Sequence, residues 1–175
     1  MTVVDHLKWA LALALLTGAA GCASGNEQYA VPERVCGVPM DENVVRAVLP
    51  EGERLSQGGE TLPETYNICT LLVDGSPAVR MSFSKETEYY HPLEEYAREF
   101  QDGEDIALDF PGNGGLDDEN ATIIVKCGLP ERPNIISHMQ VPPPGGATTD
   151  VSRADLERFA VDYMAGAKRE LGCPD

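Results

Sequence analysis

Cysteine placement restricts the folds open to this chain more than any other feature: Cys22, Cys36, Cys69, Cys127 and Cys173 are its five thiols. Lys8 precedes an unbroken apolar run from Trp9 to Leu16, and Ala19, Ala20 and Gly21 follow it. Basic, then apolar, then small is the order of a secretory signal peptide, here residues 1–21. The run is too short to cross about 30 Å of hydrocarbon as a helix, and no later stretch reaches roughly 18 apolar residues. The reading is therefore an exported chain. Cys22 directly follows the leader, and four cysteines remain, an even number that in an oxidising compartment implies two disulfides. Three connectivities are possible. Cys36–Cys69 and Cys127–Cys173 are expected, because Cys36 and Cys69 flank the first helix while Cys127 ends a strand and Cys173 follows the last helix. Each bridge would then fasten a terminus to a strand end. No Cys-x-x-Cys occurs, and the separations are too long for a zinc finger.

Ala19-Ala20-Gly21-Cys22 resembles a bacterial lipobox, in which the thiol behind the small residues is diacylated before the leader is cut. The resemblance implies a lipid (palmitate-type) on Cys22 and a protein anchored on the outer face of the cytoplasmic membrane. The chain departs from the lipobox in two ways: Ala19 stands three positions before the Cys, where Leu is preferred, and Asp5 offsets Lys8. Cleavage after Ala23 is the alternative, and it would release a secreted soluble protein. Residues 22–35 are small, polar and Pro-containing without periodicity, and read as a flexible tether. Residues 36–175 read as a single extracytoplasmic domain.

Lys8 and Asp5 cancel within the leader, so the formal charge of −16 belongs to the mature part. Such a domain is repelled by a phosphate lattice, and no Lys/Arg cluster with interleaved aromatics offsets that, which excludes nucleic acid as a partner. The acidity serves solubility in an exported domain, or suits a basic partner or divalent cations.

Asp41 is placed to cap a short helix carrying Val44, Val45, Val48 and Leu49, stopped at Pro50. Residues 51–64 read as a loop. Tyr66 to Val73 is a strand apolar on both faces. Asp74-Gly75 signals a hairpin, and Val79, Met81 and Phe83 alternate behind it with Arg80, Ser82 and Ser84. Pro92 suits the first position of a second helix whose inner face is Leu93, Tyr96, Ala97 and Phe100. A strand is expected at Ile106–Phe110, a turn at Pro111 to Gly115, and further strands around Ile123–Cys127 and Ile135–Val141. Ser152 with Asp155 resembles a capping box, Gly172 and Pro174 close the last helix, and Leu156, Phe159, Ala160, Tyr163, Met164, Ala167 and Leu171 form its apolar stripe. The expected fold is α+β: an antiparallel sheet of four to six strands with two or three helices packed on one face, stapled by disulfides.

A leader ending in a lipobox, Cys36-Gly37 early in the mature chain, Cys69 in the first central strand, Cys127-Gly-Leu-Pro130 at a strand end and a C-terminal helix closing on Cys173 form one layout. In it the chain resembles actinobacterial cell-envelope lipoproteins of a domain-of-unknown-function family. The resemblance covers nearly the whole mature chain and implies export, tethering and disulfides. It brings no activity.

Few residues suit catalysis. Beyond the leader there are two histidines, His91 and His138, and no Gly-x-Ser-x-Gly elbow. His91 is expected in a loop or at a helix cap and His138 on the polar face of a strand, both solvated. Gly112 to Gly115 lacks the Gly-Lys-Ser/Thr that would make it a phosphate loop. Asp102, Glu104, Asp105, Asp117, Asp118 and Glu119 are oxygen-rich but miss the calcium-loop spacing. No catalytic, cofactor or metal residue is therefore assigned. The expectation is a lipoprotein that binds an envelope protein or a small ligand, without enzymatic activity. A small cell-envelope hydrolase is the rival reading, and residues 86–119 are the stretch where a binding surface is expected.

Overall fold

The computed structural model describes residues 29–59, 62, 66–142, 146 and 150–174. The residues read as a leader, Cys22 and the first part of the expected tether lie outside these residues. A two-stranded hairpin comes first, β1 (Arg34–Val35) with β2 (Val38–Pro39), and Cys36 and Gly37 turn between them at positive φ. Helix α1 (Glu42–Ala47) follows, capped by the Asp41 carboxylate, which accepts from the amides of Asn43 and Val44.

The main sheet has seven strands, one more than the upper expectation, all antiparallel. They are β3 (Leu55–Gly59), β4 (Tyr66–Val73), β5 (Ser76–Glu86), β6 (Glu104–Asp105), β7 (Asn113–Leu116), β8 (Asn120–Lys126) and β9 (Asn134–Gln140). Their order in space is β3-β4-β5-β9-β8-β7-β6. Asp74 and Gly75, both at positive φ, make the tight turn expected between β4 and β5. Helix α2 (Pro92–Glu95) is a single turn, and α3 (Arg153–Leu171) is the long C-terminal helix. Ser152 caps α3, and Gly172 ends it in the left-handed conformation. No helix among the described residues is long and apolar enough to cross a membrane.

One face of the sheet forms the core. Cys69 and Leu71 of β4, Met81 and Phe83 of β5, Met139 of β9, and Ala121, Ile123 and Val125 of β8 lie on it. Leu156, Phe159, Ala160, Tyr163, Met164 and Ala167 of α3 cover it and join the same buried cluster. Arg158 and Arg169 point outward. Gly166 lets α3 approach β2, since a Cβ there would stand 2.3 Å from the Val38 side chain. Both disulfides pair as expected: the Cα atoms of Cys36 and Cys69 are 5.9 Å apart, and those of Cys127 and Cys173 are 4.4 Å apart.

Four local expectations are corrected. The loop read over residues 51–64 contains β3, an edge strand that buries little beyond Leu55 and so shows no apolar alternation. The turn expected at Pro111 to Gly115 is largely β7. Its glycines are strand residues because side chains lie on them: a Cβ on Gly114 would stand 2.8 Å from Ile106 Cβ, and one on Gly115 would stand 2.6 Å from Leu93 Cδ2. Ile106 is therefore buried across β7, and the strand expected at Ile106–Phe110 shrinks to the two residues of β6 before it. The helix expected from Pro92 to Phe100 stops after one turn, and Leu93 places it over Gly115, on the face of the sheet opposite α3.

Within the segment read as a tether, residues from Tyr29 onward pack on the domain. The Tyr29 ring is buried against Val73 and Ala78, its hydroxyl donates to the Pro50 carbonyl at 2.7 Å, and the Arg46 guanidinium lies 5.5 Å from its centroid. Burial of one aromatic ring holds this segment to the domain. What remains of the expected tether lies outside the described residues.

Candidate functional site

Side-chain alternation sends every second residue of β4, β5, β9 and β8 away from α3. Cross-strand register then arranges them in transverse rows. Ile68, Ser82, His138 and Thr122 form one row, and Thr70, Arg80, Gln140 and Asn120 form the next. The face is open over its middle and walled at the β7–β8 end by the segment after β5. Asn134 Nδ2 donates to the Thr87 and Glu88 carbonyls, and Asn113 Nδ2 donates to the Tyr90 carbonyl. Tyr90 and Tyr96 meet edge-to-face with their hydroxyls 2.9 Å apart, and burial with that hydrogen bond raises the Tyr90 phenol well above its ordinary pKa.

Asp117 fastens this wall. It is almost fully buried, and its carboxylate accepts from the amides of Gln101 (2.9 Å), Glu119 (2.8 Å) and Asn120 (2.6 Å) and from Asn120 Nδ2 (3.2 Å). Four donors leave it little capacity for a further partner. Arg153 at the start of α3 binds Asp118 at 2.6 Å and Glu104 at 3.3 Å, so two of the acids read as a possible calcium loop share a guanidinium. The hydrogen bond from Arg153 holds the Asp118 carboxyl below the usual carboxylate range.

The result is a cleft of about 400 Å3 lined by Glu99, Gln101, the Asp117–Asn120 turn, His138 and Gln140. It continues along the sheet past Tyr66, Arg80, Ser82 and Ser84. His138 borders every part of this groove. Its Nδ1 lies 2.5 Å from the hydroxyl of Thr122, which is fully buried, and its Nε2 makes no hydrogen bond among the described residues. One ring nitrogen is thus locked while the other faces the groove.

His138 is therefore not the solvated histidine expected from its place on a polar strand face. Desolvation is the largest influence on it and lowers its pKa below the ordinary 6.5; Glu99 and Asp117 oppose that, and Arg80 adds to it. A neutral imidazole follows at pH 7. In the unfolded chain the ring takes its proton first, so the stability held by keeping it neutral is complete above 6.5 and is lost as pH falls below 6.5 toward the folded value. His138→Gln should flatten this part of the stability curve. Urea unfolding of both proteins between pH 7.5 and 5.5 checks it; parallel curves would show that the ring is not desolvated.

His91 is the N-cap residue of α2, and its Nε2 lies 3.3 Å from Asp105 Oδ1. It shares no partner with His138. The two cystines lie in and beside the core, on the side of α3, and not in the groove. Cys22 lies outside the described residues. Arg80 and Ser82 were readable only as polar positions on a strand, and Thr122 lay just before the strand expected from Ile123, because what joins them to His138 is register between strands distant in sequence. Comparison with protein-family models, with curated proteins and with solved structures finds no match.

Proposed function

We propose that this protein is a lipid-anchored extracytoplasmic binding module whose ligand sits in the groove around His138. The observation that carries the reading is the open Nε2 of a desolvated imidazole at the centre of a polar, concave sheet face. Binding is favoured over hydrolysis by the state of the neighbouring groups. Thr122, the hydroxyl beside the imidazole, is fully buried and cannot meet a substrate, and Asp117 is occupied by four N–H donors. The ring is oriented by the fold and free to make one hydrogen bond. The tether follows from the lipobox-like Ala19 to Cys22, and the likeness to actinobacterial envelope lipoproteins supports the same placement.

Two measurements test this. Mass spectrometry of the mature N-terminus should find Cys22 as the first residue carrying a diacylglyceryl group, and a mature chain beginning at Ser24 overturns the anchor. Imidazole resonances of His138 should shift when the protein is exposed to envelope extract, whereas those of His91 should not. Unmoved His138 resonances would sink the binding reading.

A further inference from the structure

Resting on that reading of the groove, we infer that its ligand is a zwitterion about as long as a tripeptide, with its carboxylate at Arg80 and its ammonium group at Glu99 and Glu119. Arg80, Gln140 and Asn120 occupy one transverse row of the sheet. Two strand spacings of about 4.8 Å put Arg80 roughly 10 Å from Asn120, which adjoins Glu119.

The charges at the two ends are opposite and available. The Arg80 side chain is exposed and makes neither an ion pair nor a hydrogen bond among the described residues. Arg34, Arg46, Arg153 and Arg158 each have an acidic partner. At the far end Asp117 and Asp118 are occupied by N–H donors and by Arg153, which leaves Glu99 and Glu119, both exposed and both lining the cleft. Between the ends stand groups that hydrogen-bond without charge: His138 Nε2, the Gln140 amide and the Ser82 hydroxyl. Three extended residues span about 10 Å.

Charge selects against the alternatives. A simple anion would approach a domain of formal charge −16 with a single guanidinium, that of Arg80, lining the groove to hold it. A simple cation would leave Arg80 facing a like charge or unused. A zwitterion matches both ends, and its carboxylate can take the two parallel hydrogen bonds that a free guanidinium offers.

Calorimetric titration of the intact lipoprotein in detergent with trialanine, N-acetyl-trialanine and trialanine amide tests the inference. Trialanine should bind, and each capped peptide should bind roughly tenfold more weakly or worse, the scale of one lost charge-assisted hydrogen bond. Arg80→Gln should abolish the preference for the free carboxylate, and Glu99→Gln with Glu119→Gln the preference for the free amine. All three positions are exposed, so melting curves should match the parent protein. Equal binding of free and capped peptides overturns the inference, and so does binding of none of them. A shift of the His138 resonances by envelope extract without peptide binding removes the zwitterion and leaves the groove as the ligand site. If neither extract nor peptide acts, both readings fall.

Discussion

Replacing Phe159 by alanine should lower the unfolding free energy by about 3–5 kcal/mol, the usual cost of emptying a fully buried aromatic site. Phe159 is wholly inaccessible, in the middle of the α3 stripe that covers β8 and β9. A backbone helix on one side and a hydrogen-bonded sheet on the other limit how far the cavity can collapse. Domains of this size are stable by about 5–15 kcal/mol, so the loss is a large share of the total. Tyr163, one turn further on, is the contrasting arm. Its hydroxyl is buried without a hydrogen-bond partner among the described residues, and desolvation raises its pKa well above the ordinary value. Tyr163→Phe should therefore leave stability unchanged or raise it, because it removes an unsatisfied polar group and keeps the ring. Urea unfolding of both variants decides. A Phe159→Ala loss below about 1 kcal/mol would mean that α3 repacks freely and that the core is not the rigid layer described here.

Removing the Cys36–Cys69 disulfide by a double alanine substitution should cost about 4 kcal/mol or more. The loop spans 33 residues, and on the chain-entropy model that closure alone is worth about 3.7 kcal/mol. Packing adds to it, since both half-cystines are buried and lie between the β1–β2 hairpin and the sheet. The Cys127–Cys173 bridge closes a longer loop of 46 residues, about 4 kcal/mol on the same model, but Cys173 is half-exposed beyond the end of α3 and contributes less packing. Loss of Cys36–Cys69 should therefore be the more damaging. Denaturant midpoints of the two double variants test that order. A larger effect at Cys127–Cys173 would show that loop length outweighs burial here.

Much of the framework was legible because its signals are local. The Asp74-Gly75 turn, the α3 stripe with Ser152 and Gly172 at its ends, and the Asp41 cap each depend on neighbours within a few residues. Steric and hydrogen-bonding rules act on them before any tertiary contact forms. With Cys22 set aside, the four remaining cysteines and their positions relative to those elements favoured, among three connectivities, the pairing that the fold adopts. The misread elements share a different cause. β3 buries almost none of its side chains, and β7 is built on glycines that accommodate Ile106 and Leu93, so neither carries an apolar period of its own. Tyr29 is one aromatic residue in a polar stretch, and its burial depends on Val73 and Ala78 far along the chain.

By itself, then, the sequence determined the α+β class, the central hairpin and the helix that closes the core, along with which strand positions are polar. Only the tertiary structure decided that β9 lies between β5 and β8. That placement sets His138 beside Ser82 and Thr122, buries the Thr122 hydroxyl against its ring, and draws Arg80, Gln140 and Asn120 into one row. The physical reason is that antiparallel register between distant strands is set by burial of the opposite face, where Met81, Met139 and Ala121 must meet beneath α3. A shift of one residue would turn every one of these side chains to the other face. The groove is a consequence of how the core packs, and no local pattern in the chain encodes it.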